Sequence, residues 1–259
     1  MLRAPLRTAK VGGLSALMLA AFSAEERVRG MSDERRQAYV RRWARSVRKI
    51  LGVELDVLPG GAKTGEGGPQ LVVANHRSTL DILVVLELFG GELLARKDME
   101  NWPAIGPLAR RAGTLFVERE SPSSGASAVR RMCERLRQNV TLCVFPEGTT
   151  FAGDQVRTFR RGAFLAVARE RGKIVPVGLA YEQPEAVYGD EPVLDHMKRL
   201  VSTPKFRVCV AVGSPRPADA LSITELAEQA QSEVQRLVDR ARHHLRGPAS
   251  KAVGTAGAP

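Results

Sequence analysis

Cysteine is scarce: three residues, Cys133, Cys143 and Cys209, in a chain of 259. They show no metal-ligand spacing, and all three are expected to be reduced, in keeping with a cytoplasmic setting. Cys143 and Cys209 fall in strand-like runs and read as small core residues. Aromatic residues make up only 5% of the chain and never alternate with basic ones, which weighs against a nucleic-acid surface. The four histidines, His76, His196, His243 and His244, give no metal pattern either, so no metal is expected. There is no Gly-x-Ser-x-Gly elbow, which disfavours a covalent acyl-serine hydrolase. The apolar run Val11 to Phe22 is twelve residues, well short of the ~20 that a spanning helix needs. The glycines of 59–69 do not follow a strand-like run, and Lys63-Thr64 is preceded by Ala62 and lacks the Gly-x4-Gly-Lys-Ser/Thr spacing, so they are not read as a phosphate loop.

What the chain does have is positive charge. Lysine and arginine number 39 against 28 acidic residues, a formal charge of +11. Such an excess implies an anionic partner: nucleic acid, an anionic membrane surface or an acidic substrate. Much of it lies near the amino terminus. Arg3, Arg7 and Lys10 precede the apolar run, which could be a signal peptide, a core helix or an interfacial membrane segment. Ser32 or Asp33 then caps a helix in which Tyr39, Val40, Trp43, Val47, Ile50 and Leu51 form a stripe. Arg35, Arg36, Arg41, Arg42, Arg45, Arg48 and Lys49 fill much of the remainder. Either the stripe packs on the domain and the arginines are solvated, or the helix lies on an anionic bilayer with Trp43 near the headgroups. The second is the expectation, with residues 1–58 as a membrane-associating helical region.

Residues 59–69 are a Gly-rich linker by composition. From residue 70 to 215, short apolar runs alternate with helical patterns. This predicts a single α/β domain with a largely parallel central sheet flanked by helices. Residues 216–246 read as a C-terminal helix and 247–259, rich in small residues, as a disordered tail.

The stretch Asn75-His76-Arg77-Ser78-Thr79-Leu80-Asp81 joins the strand-like run Leu71 to Ala74 to the helical run from Ile82. A His and an Asp five residues apart therefore sit where a strand ends and a helix begins, the place where α/β sheets collect ligand sites. An imidazole can take a proton near neutral pH, and a carboxylate can fix its tautomer. A satisfied loop histidine and a helix-start aspartate would read the same way.

Three further blocks follow: Gly113-Thr114-Leu115-Phe116-Val117-Glu118-Arg119, Phe145-Pro146-Glu147-Gly148-Thr149, and Val175-Pro176-Val177-Gly178. In this order and spacing, over roughly residues 70–180, the four blocks resemble the glycerolipid acyltransferase family that includes 1-acylglycerol-3-phosphate acyltransferases. Asn75, His76 and Asp81 match the family's Asn-His-x4-Asp pattern. Gly113, Phe116 and Arg119 match its Gly-x-x-Phe-x-x-Arg pattern.

The resemblance implies transfer of a fatty acyl group from a thioester, acyl-CoA or acyl-ACP, to the hydroxyl of a lysophospholipid. No metal or organic cofactor is required. His76 is then the general base and Asp81 its orienter, with the substrate hydroxyl standing where a serine would be. The substrate-binding set is Arg119, Glu147, Gly148, Thr149, Lys97 and Gly113. Arg119 would grip the acceptor phosphate with its planar fork, or merely pair with Glu118 or Glu120. Lys97 is a second candidate for that contact. Glu147 would accept from an acceptor hydroxyl, or simply hold its loop.

One departure concerns the acceptor. Many lysophosphatidate-acylating members carry a basic residue after Phe-Pro-Glu-Gly-Thr, whereas this chain has Thr150. The contact is then missing, or supplied by Arg157, Arg160 or Arg161. The expected acceptor is 1-acylglycerol-3-phosphate, with another lysolipid such as lyso-ornithine lipid as the alternative. Rivals are a non-catalytic lipid-binding module and a thioesterase or lipase. The expected location is peripheral or monotopic on the cytoplasmic face of a membrane, with no nucleic-acid partner.

Overall fold

In the computed structural model, residues 2–60, 68–102, 105–118, 122–219 and 221–247 are described. Two helices come first, α1 (Arg3–Arg29) and α2 (Asp33–Ile50), followed by strand β1 (Val53–Val57). Then come β2 (Gln70–Ala74), α3 (Leu80–Phe89), β3 (Glu92–Arg96), α4 (Ile105–Arg111), β4 (Leu115–Val117), α5 (Pro122–Arg137) and β5 (Leu142–Val144). The remainder is α6 (Gly162–Arg169), β6 (Lys173–Tyr181), α7 (Val193–Ser202), β7 (Phe206–Val212), β8 (Arg216–Pro217) and α8 (Ile223–Arg246).

The strands form one sheet in the order β1-β7-β6-β2-β5-β3-β4, with β8 on β6. Pairing is parallel except at β6–β7 and β6–β8. This is the expected largely parallel α/β architecture. Both faces of the sheet are covered, so β2 is apolar at consecutive positions and not at alternate ones. Leu71 and Val73 enter the core shared with α5, α6 and α8. Val72 and Ala74 enter the core shared with α2 and α3. Gly178 lets α8 lie directly on β6, because a Cβ there would stand 2.3 Å from the Val238 nitrogen.

Three elements depart from the expectation, among them β8, two residues that pair with β6 inside the stretch 216–246 expected to be helical. Val53–Val57 lies within the stretch assigned to the amino-terminal helical region but pairs with β7 as an edge strand of the main sheet. Helix α7 arises from a polar-looking segment whose buried residues are His196 and Leu200.

The amino-terminal arginines are engaged more than the sequence implies. Arg41 donates to the carbonyls of Leu88 and Phe89 at the end of α3. Arg45 and Arg48 pair with the buried Glu87. Arg36 pairs with Glu92, and Arg35 with Glu25. Trp43 is not free to sit among headgroups: its indole Nε1 donates to Ser15 Oγ on α1 at 3.1 Å. Of the seven basic residues on α2, Arg42 and Lys49 remain exposed and make no ion pair among the described residues. The apolar stripe therefore packs on the domain, as the alternative reading had it.

Candidate active site

Strands β6, β2 and β5 are neighbours in the centre of the sheet, and all three point the same way. Their carboxyl ends bring together Tyr181, the loop 75–81 and the turn 145–149. Asn75 fastens the end of β2 to β6: its side chain donates to Leu179 O at 2.9 Å and accepts from Leu179 N at 2.8 Å. The loop then turns back so that Asp81, in the first turn of α3, faces the residues before it.

Asp81 is fully buried. One carboxylate oxygen, Oδ2, accepts from Arg77 N at 2.6 Å, from Ser78 N at 2.8 Å and from His76 Nδ1 at 2.9 Å. The other, Oδ1, accepts from the Tyr181 hydroxyl at 2.6 Å. Four donors and the amino end of a helix compensate the burial of the charge. Burial and the neighbouring Asp81 carboxylate push the Tyr181 phenol well above its ordinary value, so it stays a donor.

An acidic acceptor on Nδ1 selects the His76 tautomer with the proton there and the lone pair on Nε2. The ring stacks on Phe145, with centroids 4.2 Å apart and planes inclined by 14°. Its side chain keeps 17% exposure, and Nε2 has no hydrogen-bond partner among the described residues. An imidazole held this way can accept a proton from a hydroxyl brought to Nε2.

Glu147 stands otherwise than the resemblance implies. Its side chain has no exposed surface. Oε1 accepts from His76 N at 2.9 Å and Arg77 Nη1 at 2.8 Å, and Oε2 accepts from Arg157 N at 2.9 Å. These bonds tie the 145–149 turn to the His76 loop and to Arg157, and with no exposed surface the carboxylate fits the loop-holding alternative better than contact with an acceptor hydroxyl. Arg77, unnoticed in the sequence, is the other half of the clamp. It is buried, and it also donates to the carbonyls of His76, Gly153 and Gln155.

The other expected substrate contacts separate. Gly148 is buried with φ +85°, and Thr149 is exposed beside it. Lys97 follows the carboxyl end of β3, on the same edge of the sheet as His76, and pairs with Glu100. Gly113 precedes β4 at the opposite edge, where a Cβ would strike the Glu92 carboxylate. It shapes the packing around Glu92 and cannot line a pocket at His76. Arg119 lies outside the described residues.

A second histidine supports the loop from below. His196 is fully buried on α7. Arg199 Nη2 donates to its Nδ1 at 3.0 Å, leaving Nε2–H to donate to Thr79 Oγ1 at 3.1 Å. Burial, reinforced by Arg199, lowers its pKa to about 4, so it stays neutral near neutral pH. Among the described residues no group of His, Cys, Asp and Glu is arranged to hold a metal ion.

The fold and site define an α/β protein with a buried-carboxylate–histidine couple at the carboxyl edge of its central strand. A family model described as Acyltransferase matches residues 54–180. A lyso-ornithine lipid O-acyltransferase of Pseudomonas aeruginosa is 36% identical over 90% of this chain and 93% of its own length. A 1-acyl-sn-glycerol-3-phosphate acyltransferase of Neisseria gonorrhoeae is 28% identical over 61% of this chain and 68% of its own. Among solved structures, the 1-acyl-sn-glycerophosphate (LPA) acyltransferase PlsC of Thermotoga maritima matches in fold. It has a TM-score of 0.64 at 18% identity, covering 91% of this chain and 98% of that one. The chain belongs to the acyltransferase family.

Proposed function

We propose that the protein transfers a fatty acyl group from an acyl thioester, CoA- or carrier-protein-bound, to the free hydroxyl of a lysolipid. The observation that carries this reading is the His76 Nδ1–Asp81 Oδ2 contact of 2.9 Å with Nε2 left open. His76 Nε2 takes the proton of the acceptor hydroxyl as its oxygen attacks the thioester carbonyl. Asp81 stabilises the imidazolium that forms. Collapse of the tetrahedral intermediate breaks the carbon–sulfur bond. The departing thiolate recovers the proton from Nε2, leaving an ester and a free thiol.

Lyso-ornithine lipid is the acceptor best supported. The relative of that name aligns over nearly the whole chain, and Thr150 stands where a basic residue would mark a lysophosphatidate acceptor. 1-Acylglycerol-3-phosphate is the second reading, favoured by the relatives acting on it. Transfer from a labelled acyl thioester in detergent micelles separates them. The expected result is product with lyso-ornithine lipid, in excess of that with lysophosphatidate. Thioester loss without any acceptor would instead make the protein a hydrolase.

We further propose peripheral attachment to the cytoplasmic face of a membrane through residues 1–50, with the α/β unit beyond them. Among the described residues no helix is long and apolar enough to cross a bilayer. Leu2, just before helix α1, and Leu6 and Leu17 on it are exposed, and no charged residue stands between Lys10 and Glu25. With most α2 arginines paired internally, this apolar face supplies much of the attachment. Vesicle binding should then weaken in high salt without disappearing. Leu17→Glu should lower partition by about tenfold or more, since burying a leucine is worth ~2 kcal/mol. Wild-type binding by this variant in vesicle flotation would refute the role of α1.

A further inference from the structure

The proposed acceptors share an oxyanion in the headgroup, a carboxylate in one and a phosphate monoester in the other. The arginine inside the motif cannot meet it, because Arg77 is buried with its donors spent on Glu147 and three carbonyls. Arg242 is likewise engaged, with Asp154 and Tyr181 O. Lys97 pairs with Glu100.

The segment after the Phe-Pro-Glu-Gly turn offers two cations of a different kind. Arg157 and Arg160 are both exposed, and neither has an ion pair or a side-chain hydrogen bond among the described residues. Their positions are nonetheless fixed. Arg157 N donates to Glu147 Oε2 at 2.9 Å, and Arg160 N donates to Pro146 O at 2.9 Å. The Arg157 guanidinium lies over the Phe151 ring at 4.0 Å, and Phe151 N donates to His76 O at 3.2 Å. The Arg160 guanidinium lies on the Gly148 backbone: a Cβ there would come within 2.6 Å of its Nε. Stacking occupies the face of a guanidinium and leaves its edge N–H groups free for an oxyanion. Two such groups therefore flank the turn that is clamped to His76.

We propose that Arg157 and Arg160 together form the fork that binds the oxyanion of the acceptor headgroup, replacing the basic residue absent at Thr150. The assignment rests on the lysolipid-acyltransferase reading above. It also explains Gly148 by more than its positive φ, because any side chain there would displace Arg160.

The test uses the full-length protein in mixed micelles with saturating thioester. Acceptors are lyso-ornithine lipid, lysophosphatidate and an uncharged monoacylglycerol, and the variants are Arg157→Gln, Arg160→Gln and Arg160→Lys. Losing a charge-assisted bond should raise the KM for an oxyanion-bearing acceptor about tenfold or more per residue, with a smaller fall in kcat. The loss of kcat/KM should be greater for the two oxyanion-bearing acceptors than for monoacylglycerol, and Arg160→Lys should recover part of it. Which of the two suffers more identifies the headgroup as carboxylate or phosphate. Equal losses on charged and uncharged acceptors would make both residues mere supports of the turn and overturn the proposal. So would a rise confined to the KM of the thioester, measured in a second series at saturating acceptor, which would assign the fork to the donor. If the wild type acylates no lysolipid, the functional reading has failed. Direct binding of the two oxyanion-bearing lysolipids to wild type and variants then decides the fork, and equal binding would reject it.

Discussion

His76→Ala is expected to abolish acyl transfer, with kcat falling by about three orders of magnitude or more and the melting temperature nearly unchanged. The expectation of a large kinetic effect follows from the open Nε2 and the buried partner on Nδ1. The expectation of a small structural one follows from the placement of the ring. His76 holds its loop through backbone groups, N to Glu147 Oε1 and O to Phe151 N, and these survive the substitution. Asp81→Asn should be nearly as inactive. An amide oxygen could still accept from part of the set, but it would not stabilise an imidazolium and would present an N–H where one of four donors points. Measurement of single-turnover transfer alongside thermal melts checks both. Substantial turnover by folded His76→Ala would remove the residue from the role of base.

Glu147→Ala is expected to act on stability first. Removing one partner of a buried pair leaves Arg77 charged and unpaired at 3% exposure. That costs about 3–5 kcal/mol, on the order of 10 °C in melting temperature for a chain of this size. Activity should fall with it on every acceptor, because the His76 N–H and the Arg157 N–H lose their common acceptor. A contact with the acceptor hydroxyl predicts the opposite pattern: an unchanged melt and a raised acceptor KM. Differential scanning calorimetry and acceptor kinetics on one preparation distinguish them.

Much of the fold was legible because its signals are local. Leu71 to Ala74 reads as a strand covered on both faces, and Ser222 with Glu225 closes a capping box at the start of α8. The missed elements carry weak local signals. β1 is five residues following directly on a long helix, and α7 buries only a histidine and a leucine. Charge proved the least legible feature. The seven basic residues of α2 look like a surface in sequence. For four of them, Arg36, Arg41, Arg45 and Arg48, the partners Glu87, Glu92 and the end of α3 lie about forty to fifty-six positions away.

The sequence by itself determined the α/β class, the family and the His76–Asp81 couple. Each depends on residue types at short separations that a strand–loop–helix turn converts directly into proximity. Only the tertiary structure decided which groups complete that couple. Tyr181 reaches Asp81 across 100 residues and Arg77 reaches Glu147 across 70. The parallel register of β2 with β5 and β6 brings those ends together. It also placed Gly113 at the opposite edge of the sheet and enclosed Glu147 completely. Strand order is set by packing over the whole domain, so no local pattern could show which carboxylate faces a substrate and which holds the loop.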